Sequence, residues 1–287
     1  MRRITVSILA CLIASAAMGD AMDDGLEALK AQRWADAYRI LLPEAKGGNS
    51  LAQYNLALLL SEGLGVAKDL PQAAQWYERA AKSGDLEAKV NLGLMYVAGE
   101  GVKRDPVRAV QLYREAANEG NGMAQNNLGA AYLKGEGVER NDAEALRWLN
   151  KSAEQNVSQA QNTLGGLYCG GDKRPNPIKI DNELCNKWLK SAVALGNEDA
   201  KASMFFLTKK AAERGEPMAM NNLGGYYLQG FGTKPDAVQG VEWLTKAGEA
   251  GMKQSQRVLS ELYEEGGYGV AADAKKAAYW KSKFAAK

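Results

Sequence analysis

The sequence predicts an all-α fold, a solenoid of stacked helix-turn-helix units. Two spaced apolar rows and one set of punctuation residues carry that reading. Ala52, Ala88, Ala124 and Ala160 recur every 36 residues, and Ala219 to Ser255 is 36 again. Four positions after each stands Leu56, Leu92, Leu128, Leu164, Leu223 or Leu259, followed by a small residue and then by Leu60, Tyr96, Tyr132, Tyr168, Tyr227 or Tyr263. Spacing of four along a helix puts these side chains in one stripe, and repetition at a fixed period signals a stack of identical supersecondary units. The second row is Trp76, Leu112, Trp148, Trp188, Trp243 and Trp280, the centre of a second helix in each unit.

The chain opens with Arg2 and Arg3, an apolar run from Ile4 to Ala17, and small residues at Ala17 and Gly19. That is the pattern of a secretory signal over residues 1–19, with a buried N-terminal helix as the alternative. Cys11 follows too short an apolar run for a lipoprotein signal, and the stretch is too short to span a bilayer. Removing it takes Arg2 and Arg3 from 36 Lys and Arg, leaving 34 against 34 Asp and Glu. A formally neutral body offers no global field for nucleic acid. The chain has no histidine, the usual general base and commonest metal ligand.

Residues 20–51 form a poorer helical pair, in which Ala37, Ile40 and Gly48 keep the register of a second helix. This is the expected N-terminal cap. Units one to four occupy 52–197. Seven residues before each second-row marker stands Asp69, Asp105, Asn141, Asp181, Asp236 or Asp273, expected to cap the second helix. Pro106 fits a first helical position. Eight residues after the marker come Gly84, Gly120, Asn156, Gly196 and Gly251, suited to a left-handed helix end. Gly63-Leu-Gly65, Gly99-Glu-Gly101 and Gly135-Glu-Gly137 make the intervening turns.

Unit four is four residues longer, and the addition falls before Asp181. Pro175 and Pro177 make it a stiff projection. Cys169 and Cys185 lie on the two helices of this hairpin, where they face each other across the loop. A disulfide is expected in an oxidising compartment; two unpaired small core residues are the alternative. Residues 198–215 carry a second helix without its partner, so a single helix, or truncated repeat, is expected. A kink or boundary there would separate units one to four from the two C-terminal units at 216–287.

These residues resemble the Sel1-like repeat, a relative of the tetratricopeptide repeat with a longer loop, over about residues 52 to 287. Ala88-KVN-Leu92-Gly93-LM-Tyr96-VA-Gly99-E-Gly101-Val102-KR-Asp105 shows it well. The resemblance implies a curved right-handed superhelix whose first helices line a concave face. It also implies that asparagines on that face hold an extended peptide, as in tetratricopeptide proteins, since an amide both donates and accepts. The candidates are Asn55, Asn91, Asn127 and Asn222, next to the row leucine, and Asn126, Asn162 and Asn221, one residue earlier. Tyr54, Lys134 and Gln229 would add specificity. Hydrogen bonding within or between repeats is the alternative role for the asparagines, and the irregular elements at Lys173, Arg174 and Phe231 are the alternative docking place.

Nothing in the sequence resembles a catalytic triad, a phosphate-cradling loop or a metal cluster, so no cofactor, no metal and no catalytic residue is expected. The function expected is that of a monomeric periplasmic adaptor or regulator that binds a protein or peptide. The alternatives are an immunity protein against a periplasm-acting type VI secretion lipase toxin and, more remotely, a cell-wall or β-lactam hydrolase.

Overall fold

A computed structural model describes residues 20–171 and 178–285. The expected leader at 1–19 lies outside them, as do residues 172–177 with Lys173, Arg174, Pro175 and Pro177. Among the described residues there are fifteen α-helices and no strand. They are α1 Asp20–Lys30, α2 Trp34–Lys46, α3 Ser50–Glu62, α4 Leu70–Lys82, α5 Leu86–Ala98, α6 Pro106–Asn118, α7 Gly122–Lys134 and α8 Asp142–Glu154. There follow α9 Ser158–Gly166, α10 Asn182–Ala194, α11 Glu198–Glu213, α12 Pro217–Gln229, α13 Ala237–Glu249, α14 Lys253–Glu265 and α15 Ala274–Ala285. A π turn, Leu167–Gly171, ends α9. None of these helices is long and apolar enough to cross a membrane.

The chain divides into two compact units between Ser152 and Ala153, inside α8. The single helix at α11 therefore lies within the second unit. In both, helices pack on their sequence neighbours, which is all-α solenoid architecture.

Each hairpin is closed by local chemistry. All six residues expected to cap a second helix do so: the side chain of Asp69 accepts from Gln72 N at 2.9 Å, Asp105 from Arg108 N, Asn141 from Glu144 N, Asp181 from Leu184 N, Asp236 from Gln239 N and Asp273 from Lys276 N. The same residue's own backbone N–H donates back to the end of the first helix, Asp69 to Leu60 O, Asp105 to Tyr96 O and Asn141 to Tyr132 O. One residue thus caps the second helix and ties it to the first. Asn49, Asp85, Asn121 and Asn197 do the equivalent capping for first helices, at Ala52, Ala88, Ala124 and Ala200. Each such cap is worth about 1 kcal/mol.

Packing follows the two rows. Leu56, Leu128, Leu164, Leu223 and Leu259 are wholly buried and Leu92 nearly so, each contributing about 1.5–3 kcal/mol. Gly93 lets α6 lie close against α5: a Cβ there would lie 2.4 Å from the Tyr113 ring.

Helix α11 combines two roles. Its start behaves as a first helix, with Asn197 as cap and Ala200 buried at the row position. From Lys201 onward it has the register of a second helix, ending at Gly215 in the left-handed region and packing on α12. Sixteen residues replace a hairpin of two thirteens.

Cys169, in the π turn, and Cys185, on α10, form a disulfide with their Cα atoms 5.1 Å apart. It joins the two ends of the extended loop.

Candidate functional site

The asparagine row is not a uniform surface. Asn55 is buried and donates through Nδ2 to Leu51 O, one turn back on α3 at 2.8 Å. Tyr54 is buried beside it, its ring 5.8 Å from that of Tyr77. Asn91, half-buried on α5, reaches back to Tyr54 Oη at 3.5 Å and hydrogen-bonds with the Tyr77 phenol. Of these three residues of the expected peptide-holding set, Tyr54 and Asn91 serve the junction between α3–α4 and α5, and Asn55 is tied to its own helix. Burial pushes the Tyr77 pKa up, against the opposing hydrogen bonds of Ser61 and Asn91.

Further along, the amides are freer. Asn126 Nδ2 donates to Asn127 Oδ1 at 3.1 Å on α7, and both residues are half-buried. Asn127 Nδ2 is shielded from solvent yet has no partner among the described residues. In the second unit, Asn162 accepts weakly from Ser203 Oγ at 3.5 Å. Asn221 is buried, takes a 2.8 Å bond from Ser255 Oγ and donates to Asn222. Asn222, Gln229 and Lys134 are exposed. Phe231 stacks on Tyr226 with ring centroids 4.4 Å apart.

A second polar row was not anticipated from the sequence. Gln53, Gln125, Gln161 and Gln256, each directly after the row Ala or Ser, are buried and donate through Nε2 to Ala45 O, Ala117 O, Ala153 O and Gly248 O. These carbonyls belong to the last turn of the preceding second helix, where each also accepts the backbone N–H of the residue ending that turn, Gly48, Gly120, Asn156 or Gly251. Each amide thus fastens one unit to the next. Their recurrence at the repeat period was the available signal. Lys89 takes the place on α5 and pairs instead with Glu115 on α6 at 3.3 Å and with Glu119, the residue just past its end, at 3.1 Å. Burial works against its charge, but the two carboxylates outweigh it and hold the pKa above the ordinary lysine value.

Six hairpins, each with the buried row and a capped second helix, decide the family, because the matched spans follow the hairpins described above. The Sel1 repeat model matches residues 50–85, 86–121, 122–157, 158–197, 217–252 and 253–287. The chain belongs to the Sel1 repeat family. Helix α11 falls in the unmatched gap between the fourth and fifth of these Sel1 repeats.

Among solved structures, a protective antigen of uropathogenic Escherichia coli with an SLR fold, c5321, is 31% identical over 88% of this chain and 57% of that one, with a TM-score of 0.57. The chain thus spans 57% of that antigen's length. A Sel1 repeat protein from Oxalobacter formigenes is 28% identical over 94% of this chain and 98% of that one, with a TM-score of 0.55. The immunity protein Pa5087 from Pseudomonas aeruginosa is 20% identical over 82% and 80% of the two chains, and its TM-score of 0.42 is too low to carry an argument. No curated protein matches the chain. Sel1 repeats point to interaction with other proteins, and the family is in general a non-enzymatic scaffold. Among the described residues no group of acidic or cysteine side chains is arranged to hold a metal ion.

Proposed function

We propose that this Sel1 repeat protein is an exported adaptor or regulator that binds an extended segment of another protein along its first helices. The observation that carries the reading is Asn127. Its carboxamide is held by Asn126 with one donor left unpaired at a shielded position. An unsatisfied shielded donor costs about 1–3 kcal/mol, which a peptide carbonyl would recover only if the half-buried Asn126–Asn127 pair turned outward to meet it. Lys134, at the far end of the same helix, is exposed and available to a ligand side chain. Export is supported by the basic and apolar start of the sequence and by the Cys169–Cys185 disulfide, which needs an oxidising compartment to persist.

Site-specific photo-crosslinking in the producing cell tests this. A photoreactive residue at Asn126 should give a discrete adduct in the cell envelope, while one at Gln111, on the second helix α6, should not. Adducts at Gln111 and none at Asn126 would move the partner to the second helices and sink the proposal. Mass spectrometry of the adduct names the partner; a secreted lipase toxin would specify an immunity role.

A further inference from the structure

The turn between α8 and α9 departs from its counterparts. At the six other helix ends of this kind the left-handed residue is glycine: Gly48, Gly84, Gly120, Gly196, Gly215 and Gly251. Here it is Asn156, with φ at +61°. Glycine takes that conformation without the strain a side chain brings, so the backbone does not itself call for a carboxamide. Asn156 is exposed, and its side chain has no hydrogen-bond partner among the described residues. Its main-chain N–H, by contrast, is tied to Ala153 O at 3.0 Å.

The residues that follow complete an acceptor signal. Asn156-Val157-Ser158 is Asn-x-Ser with a middle residue other than proline, the tripeptide that receives N-linked oligosaccharide on surface loops of secreted proteins. The chain carries one other, Asn150-Lys151-Ser152. The structure separates the two. Asn150 is half-buried on α8 and donates through Nδ2 to Leu146 O at 2.7 Å. Ser152 is wholly buried, its hydroxyl donating to Gly122 O at 2.7 Å. A transferase would have to unwind α8 to reach that pair. Asn156 lies between the helices, after α8 ends at Glu154 and before α9 begins at Ser158. Val157 leaves α9 without a side-chain cap, so the first turn, which holds Ser158, is weakly anchored. Ser158 is half-buried, and its hydroxyl makes two long bonds, accepting from Asn197 Nδ2 at 3.3 Å and donating to Gln159 Oε1 at 3.4 Å. An exposed carboxylate, Glu154, stands two residues before Asn156, the place that buried Trp148 holds before Asn150.

We propose that Asn156 is an N-glycosylation site, loaded from a lipid pyrophosphate-linked oligosaccharide. The proposal rests on the export reading above, because the transfer takes place in the compartment that exported chains enter. Nδ2 of Asn156 attacks the anomeric carbon of the first sugar. A C–N bond forms, the bond from that carbon to the pyrophosphate oxygen breaks, and the lipid pyrophosphate leaves with the electron pair. One amide proton passes to a base of the transferase, and nothing is oxidised or reduced. The carboxamide must turn to meet the donor, which Asn156 is free to do and Asn150 is not. The glycan then stands on an exposed turn as a bulky, solubilising group, away from the buried rows.

Trypsin separates the two sites by cutting after Arg147, Lys151 and Lys173. The protein is purified from the producing cell and its N-terminal residue is read by mass. After reduction, the peptides 148–151 and 152–173 are then compared by tandem mass spectrometry. Peptide 152–173 should carry an added mass that fragments to sugar ions, and 148–151 should not. Asn156→Gly, the residue used at the other helix ends, should remove the added mass while melting close to the parent. Ser158→Ala should remove it as well, and Ser158→Thr should keep it. An unmodified 152–173 in a chain that has lost its leader overturns the glycan and leaves export standing; in a chain that keeps Met1, both fall. Added mass that survives Asn156→Gly, or that sits on 148–151 instead, also overturns the assignment.

Discussion

A Cβ on Gly137 would lie 2.1 Å from the carbonyl oxygen of Pro106. The loop between α7 and α8 therefore rests directly on the first turn of α6, and Gly137 also holds φ at +74°. Gly84, with φ at +91°, has open space where its Cβ would be. Gly137→Ala should cost about 3 kcal/mol or more, combining backbone strain with a clash against main chain. Gly84→Ala should cost only about 1 kcal/mol, the price of the left-handed conformation alone. Denaturant midpoints of the two variants check the difference; equal losses would mean that the loop can move off α6.

The asparagines divide by role. Asn126→Ala with Asn127→Ala should weaken partner binding by roughly 5- to 150-fold if two bonds of about 0.5–1.5 kcal/mol are lost, with little change in melting temperature. Asn55→Ala and Asn91→Ala should do the reverse, each lowering stability by about 1 kcal/mol because their bonds run to Leu51 O and Tyr54 Oη. Affinity and melting curves on the same four proteins separate the roles.

Breaking the disulfide should act locally. Cys169 and Cys185 are 16 residues apart, and closing a loop of that size stabilises by about 3 kcal/mol. Because each repeat touches only its neighbours, Cys169→Ala with Cys185→Ala should raise hydrogen exchange in α9 and α10 and leave α3 to α6 unchanged. Uniform loss of protection along the chain would contradict this.

Stability should fall in alkali. Burial pushes the phenols of Tyr77 and Tyr113 above the ordinary tyrosine value, and Glu115 and Glu119 raise Lys89. A folded-state pKa above the unfolded one gives stability that is complete below the unfolded value and is lost as pH rises toward the folded one. For these groups the loss begins near about pH 10, where unfolded tyrosine and lysine titrate. Denaturant midpoints should be flat up to about pH 9 and fall above about pH 10, and Tyr77→Phe with Tyr113→Phe should shallow that fall. An unchanged slope in the double variant would place its origin elsewhere.

The sequence by itself determined what depends on near neighbours along the chain. Asp69 caps α4 because its carboxylate needs only the N–H three residues on, and Gly84 ends that helix because φ is a property of one residue. The repeat period, the single helix after Asn197 and the nearness of Cys169 to Cys185 follow from the same short-range bookkeeping. Tertiary structure decided what each polar side chain does once neighbouring units pack. Asn55 and Asn127 occupy the same position in the repeat, yet one is sealed against α3's own backbone and the other keeps a free donor. Gln125 and Lys89 are likewise equivalent, yet one fastens α7 to α6 and the other pairs with two glutamates. A single sequence shows the donors and acceptors but not which of them meet once neighbouring helices pack, and that meeting is what makes the Asn55 bond structural and leaves the Asn127 donor without one.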